Sequence, residues 1–461
     1  MAYSEFRTSI ERMKTALRRL GRILLIALVA LLLPAGVAAL AIPRATASVF
    51  PEPGPRPLAA AERPENSELD PAKPTVAIVL GEEGGNVADS LAPYEVFARA
   101  GTFNVLLVAP TDQPVPLTGG LDVVPDRTFD ALDRELGRPA DVIVVPQIHG
   151  STDRVVSWLS EQDEAGAPLI MSVCVGAGTL ADAGLLDGRT ATSNWLGLIG
   201  LRRSYPDVNW VAGQRFVDTG DVITTGAVLS GIDGALRVTE RLAGADVAAR
   251  VADEIHWNGY RPGGPTAIPA ASPRPPDLVA LIDAAFRWDR PTDAVLLTND
   301  IGEIELAGAF RPYTELSYAA QLRSVSVDAA PIRSAHGLTF VPRSDWQSAS
   351  AHTDRILVPG VKAAASRAAA GLREASRTAY LNEDANEFAF DGAVRDLART
   401  RDRASAAWVV KSLEYAGPQR FEGGSRWPWL ASFVGLALAF VGGLVGWFAT
   451  RRQPAAHFLR G

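Results

Sequence analysis

The chain of 461 residues has few of the side chains that form cross-links or bind metals: it contains a single cysteine and five histidines. One cysteine excludes an intrachain disulfide, so the fold depends on its hydrophobic core. The histidines show no metal-ligand spacing and have no second cysteine to assist them. We therefore expect no metal site and no cofactor. The net charge of −7 argues against a general nucleic-acid-binding protein.

Charge is absent altogether from two long apolar segments, residues 23–42 and 427–450. Each is long enough to cross a bilayer. The basic tail 1–22 precedes the first, and the tail 451–461, which opens with two arginines, follows the second. The positive-inside rule then predicts a multi-pass protein of the cell membrane, with both termini cytoplasmic and the main domains outside.

The first apolar segment has an alternative reading as a cleaved signal peptide. Ala45, Thr46 and Ala47 resemble a small-residue cleavage site, although the apolar run is long for a signal sequence. Either reading places the middle of the chain outside the cytoplasm.

Two proline-rich segments, residues 43–74 and 261–279, are typical of linkers. They divide the middle of the chain into folded regions at residues 75–260 and 280–418. In the first region, apolar strands at residues 76–80, 104–109, 141–145 and 168–173 alternate with helices. This order predicts an α/β fold with a doubly wound parallel sheet, in which ligands bind beyond the carboxyl ends of the strands.

Cys174 lies at such an end, where a buried strand turns sharply into a helix. The flanking Ser172 and Gly176 are small, as a nucleophile elbow requires. A thiol at a helix N-terminus is expected to have a depressed pKa and to be the position most sensitive to alkylation. The alternative is a small apolar cysteine packed in a core.

Residues 174–189 and 191–195 resemble the corresponding region of the ThiJ/PfpI family of the class I glutamine amidotransferase-like superfamily. Residues 89–97, 224–227 and 231–233 extend the likeness, which is greatest to the branch of isonitrile hydratases and AraC-type sensor domains. The resemblance implies a flavodoxin-like fold, with Cys174 as the family's nucleophile and Asp89 as the acid beside the thiol.

The sequence departs from the family pattern at several positions near the thiol. Val175, before Gly176, supplies neither a base nor a hydroxyl. Asn194, before Trp195, replaces a possible proton acceptor, and Gln147 and Ile148 replace a glycine pair. His149 is a candidate substitute base, or else a surface loop histidine. Cys174 and Asp89 are thus the candidate catalytic pair, and the candidate binding residues are Val175, Gly176, Asn194, Trp195 and His149.

The second region repeats motifs of the first. Glu305 aligns with Asp89 at an offset of 216 residues, whereas Asp391 aligns with Asp233 at an offset of 158. The difference predicts a degenerate second copy that has lost the elbow strand, its helix and the following hairpin. We expect this copy to form an intrachain pseudo-dimer with the first, and homo-oligomers remain open.

Two functions stay open at this point. One is a membrane-anchored sensor or regulatory protein that binds an unknown small molecule, with a vestigial or redox-responsive Cys174. The other is a cysteine-dependent hydrolase or hydratase acting on a small extracytoplasmic substrate. Whether the protein is an enzyme is left undecided by the sequence.

Overall fold

The structure, a computed structural model, describes residues 2–50, 68–166, 168–372, 377–416 and 419–451. The chain separates into a helical unit, which comprises Met1–Thr46, Leu281–Asp289 and Pro428–Gly461, and a sheet unit, which comprises Ala47–Ala280 and Arg290–Trp427.

The helices of the described residues are α1 (Ala2–Ala47), α2 (Val87–Ala100), α3 (Phe129–Leu136), α4 (Asp153–Gly166), α5 (Gly176–Asp182), α6 (Leu198–Ser204), α7 (Ser230–Ala243), α8 (Ala245–Glu254), α9 (Leu278–Phe286), α10 (Glu303–Phe310), α11 (Trp346–Ser350), α12 (Val361–Ala365), α13 (Asp391–Thr400), α14 (Arg403–Leu413) and α15 (Trp429–Arg451). The strands are β1 (Thr75–Val79), β2 (Asn104–Ala109), β3 (Val115–Leu117), β4 (Leu121–Val123), β5 (Arg127–Thr128), β6 (Val142–Val145), β7 (Leu169–Ser172), β8 (Thr190–Ala191), β9 (Asn209–Trp210), β10 (Phe216–Asp218), β11 (Val222–Thr225), β12 (Thr292–Leu296), β13 (Gln321–Ser326), β14 (Ile332–Arg333), β15 (Thr339–Val341), β16 (Ser344–Asp345), β17 (Arg355–Val358) and β18 (Thr378–Tyr380).

The helical unit contains two helices that are long and apolar enough to cross a membrane, within α1 and at α15. They approach closely because α15 carries Gly442 and Gly446, whose backbones lie against Val29 and Ile26 of α1. Small residues permit this kind of close contact between apolar helices.

The segments that flank α1 and α9 differ from the predicted linkers. Residues 43–47 continue α1 past Pro43, so the linker prediction is wrong there. Residues 51–67 of that linker lie outside the described residues. Residues 281–289, predicted to open the second folded region, group with the long helices instead. Helix α9 is itself apolar, and its Phe286 lies against Gly435 of α15, which accounts for the grouping.

The predicted α/β alternation of residues 75–260 is confirmed. Seven strands form one sheet in the order β10-β11-β7-β6-β1-β2-β5, and all neighbours are parallel except β10 and β11. Strands β1, β6 and β11 are buried along their whole length, as β-branched strands covered by helices on both faces should be. Helix α2 begins at Val87 because the Asn86 side chain caps it.

A second sheet follows in the order β16-β13-β12-β17-β18, with every pair parallel. Strand β18 lies beside β17 as β7 lies beside β6, and Leu381 N donates to Val358 O as Val173 N donates to Val145 O, both at 2.9 Å. The expectation that this region lacks an elbow strand is therefore wrong. Asn382 follows β18 as Cys174 follows β7.

The sheet unit has a first half, which contains the seven-stranded sheet, and a second half, which contains the five-stranded sheet. The two halves share a further four-stranded sheet in the order β14-β15-β4-β3. At its centre Phe340 pairs with Val123, and Val124 N donates to Thr339 O at 2.9 Å. The hydrophobic core is likewise continuous, since α2 and α10 pack together and Phe97 and Phe310 belong to one cluster of buried side chains.

Candidate functional site

Cys174 occupies the corner between β7 and α5 with a φ of 56°, a left-handed conformation that is rare for a residue with a side chain. The corner is tight: a Cβ on Gly176 would lie 2.2 Å from Val145 O. Ser193 Oγ donates to Cys174 O at 2.7 Å and fixes the corner from the other side. The strand-helix order and the small residue at position 176 agree with the sequence analysis.

Asp89 lies in the first turn of α2, with its carboxyl group fully buried. One oxygen, Oδ2, accepts a hydrogen bond from Gln147 N at 3.2 Å. The other, Oδ1, has no hydrogen-bond partner among the described residues. Burial raises the pKa of Asp89 to about 6, against the lowering effects of the Arg311 guanidinium and the Gln147 N–H.

The structure brings Cys174 and Asp89 together, but it does not produce the expected thiolate. Cys174 is only 3% exposed, and burial raises the pKa of its thiol well above the ordinary value, with a further contribution from the Asp89 charge. Arg311 and the Val175 N–H lower the pKa of the thiol, but by less than burial and Asp89 raise it. Helix α5 has only seven residues, so its N-terminus adds little. The predicted depressed pKa is wrong.

Arg311 comes from the second half of the sheet unit and is the residue that sequence reasoning missed. Its side chain is buried, forms an ion pair with Glu315, and leaves Nε without a partner among the described residues. It favours the charged forms of both Asp89 and Cys174. The one signal for Arg311 in the sequence is the 216-residue offset between the two regions, which aligns Arg311 with Glu95 of α2.

Asn194 and Trp195 follow Ser193 and are buried. Asn194 Oδ1 accepts a hydrogen bond from Leu196 N at 2.9 Å, so the amide closes a local turn. The Trp195 ring contacts Trp408 edge-on at 5.9 Å, with Lys411 Nζ 4.7 Å from its centre. Its Nε1 has no partner in the described part of the chain. Helix α14 of the second half therefore covers this side of the corner.

Val175 and His149 hold different positions relative to the thiol. Val175 is half-buried directly after Cys174, where its N–H faces the sulfur. The His149 ring stacks on Phe50 with centroids 4.1 Å apart, and its backbone N–H donates to Gly84 O. The structure thus places His149 in a stacked loop contact, and its role as a base stays a prediction.

A sequence profile of the DJ-1/PfpI family matches residues 74–241. Isonitrile hydratase from Pseudomonas putida is 31% identical over 196 residues, which cover 40% of this chain and 80% of that protein. The HTH-type transcriptional regulator CdhR from Pseudomonas aeruginosa is 29% identical over 153 residues, which cover 32% of this chain and 44% of the regulator.

Solved structures also match about two fifths of the chain. A ThiJ/PfpI family protein from Pseudomonas syringae is 24% identical, with a TM-score of 0.36 over 41% of this chain and 77% of that one. Drosophila melanogaster DJ-1beta is 22% identical, with a TM-score of 0.35 over 39% of this chain and 96% of that one.

Proposed function

The chain belongs to the DJ-1/PfpI family, and on that premise we propose that it is a membrane-anchored sensor or regulatory protein that binds a small polar molecule at the Cys174 corner. Its relatives include both an enzyme and a transcriptional regulator, so membership by itself does not select between the two functions. The choice between the two functions therefore rests on the chemistry of the Cys174 corner.

The state of the thiol favours binding over catalysis. A cysteine attacks as its thiolate, whereas burial keeps Cys174 protonated near neutral pH. No hydroxyl or imidazole follows it in the chain, since the next residues are Val175 and Gly176. The same burial shields the sulfur from oxidants, so redox sensing requires the corner to open.

The observation that carries the proposal is that three side chains of the segments that form and cover the corner each have a buried polar atom without a hydrogen-bond partner among the described residues. Asp89 Oδ1 is an acceptor, whereas Trp195 Nε1 and Arg311 Nε are donors. A buried polar group without a partner costs about 1–3 kcal/mol. A small molecule that offers both a donor and an acceptor would recover that free energy, which supports a ligand with polar groups on two sides.

The test is ligand capture by the full chain. Purified protein is analysed by native mass spectrometry for a bound metabolite, and the captured compound is titrated back. We expect Asp89→Asn and Trp195→Phe to weaken binding at least about tenfold, because each removes one hydrogen-bonding group. Asp126→Asn is the matched control: burial raises the pKa of Asp126 to about 6 as well, and its carboxyl group likewise accepts from a backbone N–H. That N–H belongs to Leu107 of β2, three strands away from β7 in the sheet. Equal binding by all variants would exclude the corner as the site.

A hydratase is the second candidate, favoured by the pKa of Asp89. A carboxyl with a pKa of about 6 is a suitable proton donor and acceptor near neutral pH, and the relative from Pseudomonas putida is named an isonitrile hydratase. Isonitrile hydration by the full chain that disappears in Cys174→Ala would establish this function. No hydration by the wild-type chain, or hydration that persists unchanged in Cys174→Ala, would reject a cysteine-dependent hydratase.

The membrane anchor consists of α1 and α15 in this proposal, with both termini in the cytoplasm and the sheet unit outside. The basic residues before position 23 and after position 450 support this orientation. Alkaline phosphatase inserted near Pro269 should be active, and phosphatase fused after Gly461 should be silent. The reverse pattern would contradict the topology.

The second half of the sheet unit acts as a degenerate copy of the first and as its pseudo-dimer partner. The five-strand order, the central pairing of Phe340 with Val123, and the first-turn positions of Asp89 and Glu305 support this assignment. Its role is to close the corner, since Arg311, Trp408 and Lys411 all belong to it.

A further inference from the structure

A second cluster of titratable side chains lies away from Cys174, at the N-terminus of α10. Glu95 of α2 meets Glu303 of α10 and His336 of the loop before β15, and their ligand atoms all lie within 4.8 Å of one another. The cluster borders a cleft of about 410 Å3, to which Glu95 and His336 contribute lining atoms. An ion therefore has a path to it from solvent.

Each side chain is held in place by contacts that point it into the cluster. Glu95 Oε2 accepts from Ile304 N at 2.6 Å, and Glu95 also pairs with Arg99 at 2.7 Å. Glu303 accepts from His336 N at 3.2 Å and meets His336 Nδ1 at 2.6 Å. Both carboxyl groups are at least 97% buried, since Glu95 is 3% exposed and Glu303 is not exposed at all.

The Cys174 corner and this cluster differ in the charge that one half of the sheet unit presents to the other. The offset of 216 residues aligns Arg311 and Glu315 with Glu95 and Arg99, so the charges of the two i,i+4 pairs are exchanged. At the corner, the second half presents a guanidinium to Asp89. Here the first half presents the Glu95 carboxyl group, which faces Glu303 and not Glu305, the residue that aligns with Asp89. Two buried carboxyl groups thus face each other, which is unfavourable unless a cation or a proton joins them.

We propose that Glu95, Glu303 and His336 bind a divalent cation of the zinc class that links the two halves of the sheet unit. Imidazole nitrogen and carboxylate oxygen are both zinc ligands, and three protein ligands leave the fourth position of a tetrahedral site for water. Tetrahedral ligands at zinc stand about 3.3 Å apart, so the 2.6 Å contact between His336 and Glu303 opens slightly as its proton is displaced. This site does not depend on Cys174 or on the proposed ligand of the corner.

The test uses the full chain without a histidine tag, solubilised in detergent and treated with a chelator. Isothermal titration with Zn2+ should give one site per chain, and Co2+ should produce the visible absorption of a bound ion with nitrogen and oxygen ligands. Glu95→Gln and His336→Gln should each weaken Zn2+ at least about tenfold, since loss even of an outer-shell partner has such an effect. Glutamine at position 95 keeps an oxygen to accept from Ile304 N. His256→Gln is the control, because His256 lines the same cleft outside the cluster.

The outcomes separate the alternatives. Zn2+ should also raise the melting temperature of the wild-type chain and of His256→Gln but not that of His336→Gln. Absence of a stoichiometric site would mean that Arg99 and a protonated His336 neutralise the cluster, and would overturn the proposal. Binding that survives both Glu95→Gln and His336→Gln would place the ion elsewhere. If Glu95→Gln fails to fold, His336→Gln decides, because His336 is the most exposed member, with 21% of its side chain accessible.

Discussion

Replacement of Asp89 by asparagine should stabilise the sheet unit at alkaline pH. Burial raises the pKa of Asp89 from the ordinary 3.8 to about 6 in the folded chain. A difference of this size corresponds to about 3 kcal/mol of unfavourable free energy when the carboxyl group is ionised, as an upper value. Asparagine keeps an oxygen that accepts from Gln147 N and never ionises.

The direction of the pH dependence follows from proton binding. The folded chain holds the Asp89 proton more tightly than the unfolded chain, so its contribution to stability is complete below pH 3.8 and is lost as the pH rises through about 6. We therefore expect Asp89→Asn and the wild type to be equally stable near pH 4. At pH 8 the variant should be more stable by up to about 3 kcal/mol.

Urea denaturation of the full chain, followed by tryptophan fluorescence between pH 4 and pH 8, measures the difference. Asp126→Asn should show the same trend, because burial also raises the pKa of Asp126 to about 6. A variant that is less stable than the wild type at pH 8, or a difference that does not change with pH, would refute a desolvated Asp89 whose pKa is raised by burial.

Two further substitutions test the packing around the site. Phe340→Ala removes a fully buried ring at the centre of the shared sheet and should lower the unfolding free energy by about 3–5 kcal/mol; a loss below about 1 kcal/mol would argue against a joint core. Gly176→Ala places a Cβ against Val145 O and should destabilise the chain by about 1–3 kcal/mol. Gly200→Ala, which meets nothing within 4 Å, should be neutral or stabilising in the same urea titration. Equal effects of the two glycine substitutions would contradict the tight corner.

The sheet of residues 75–260 could be predicted from the sequence because its strands are short, apolar and β-branched. The predicted strands at residues 104–109 and 168–173 differ little from β2 and β7. The corner at Cys174 was predictable for the same reason, since small residues flank the thiol within a few positions. Local patterns of this kind can be recognised without knowledge of tertiary contacts.

The protonation state of Cys174 depends on contacts that no local pattern records. Its desolvation comes from the closed core, and its charged neighbours include Arg311 and Glu414, far along the chain. Reasoning from the helix N-terminus alone therefore gave the wrong sign.

The His336 cluster escaped prediction for a similar reason. Glu95, Glu303 and His336 come together only because α2 packs on α10 and the loop before β15 returns beside them. Strand β18 was missed because the offsets of two matching motifs do not locate the strands between them. Its pairing with β17 shows that a strand does occupy this position.

The most direct test of the proposed binding site is the alkylation rate of Cys174 in the folded full chain as a function of pH. It is the only cysteine, so iodoacetamide labelling counted by mass spectrometry reports on this thiol alone. A buried, protonated thiol beneath the second half predicts a rate at pH 7 below that of free cysteine, still rising at pH 9, and increased by denaturation. A rapid reaction at pH 7 that levels off with a midpoint below pH 7 would reveal a thiolate and would contradict the assignment of a closed binding site.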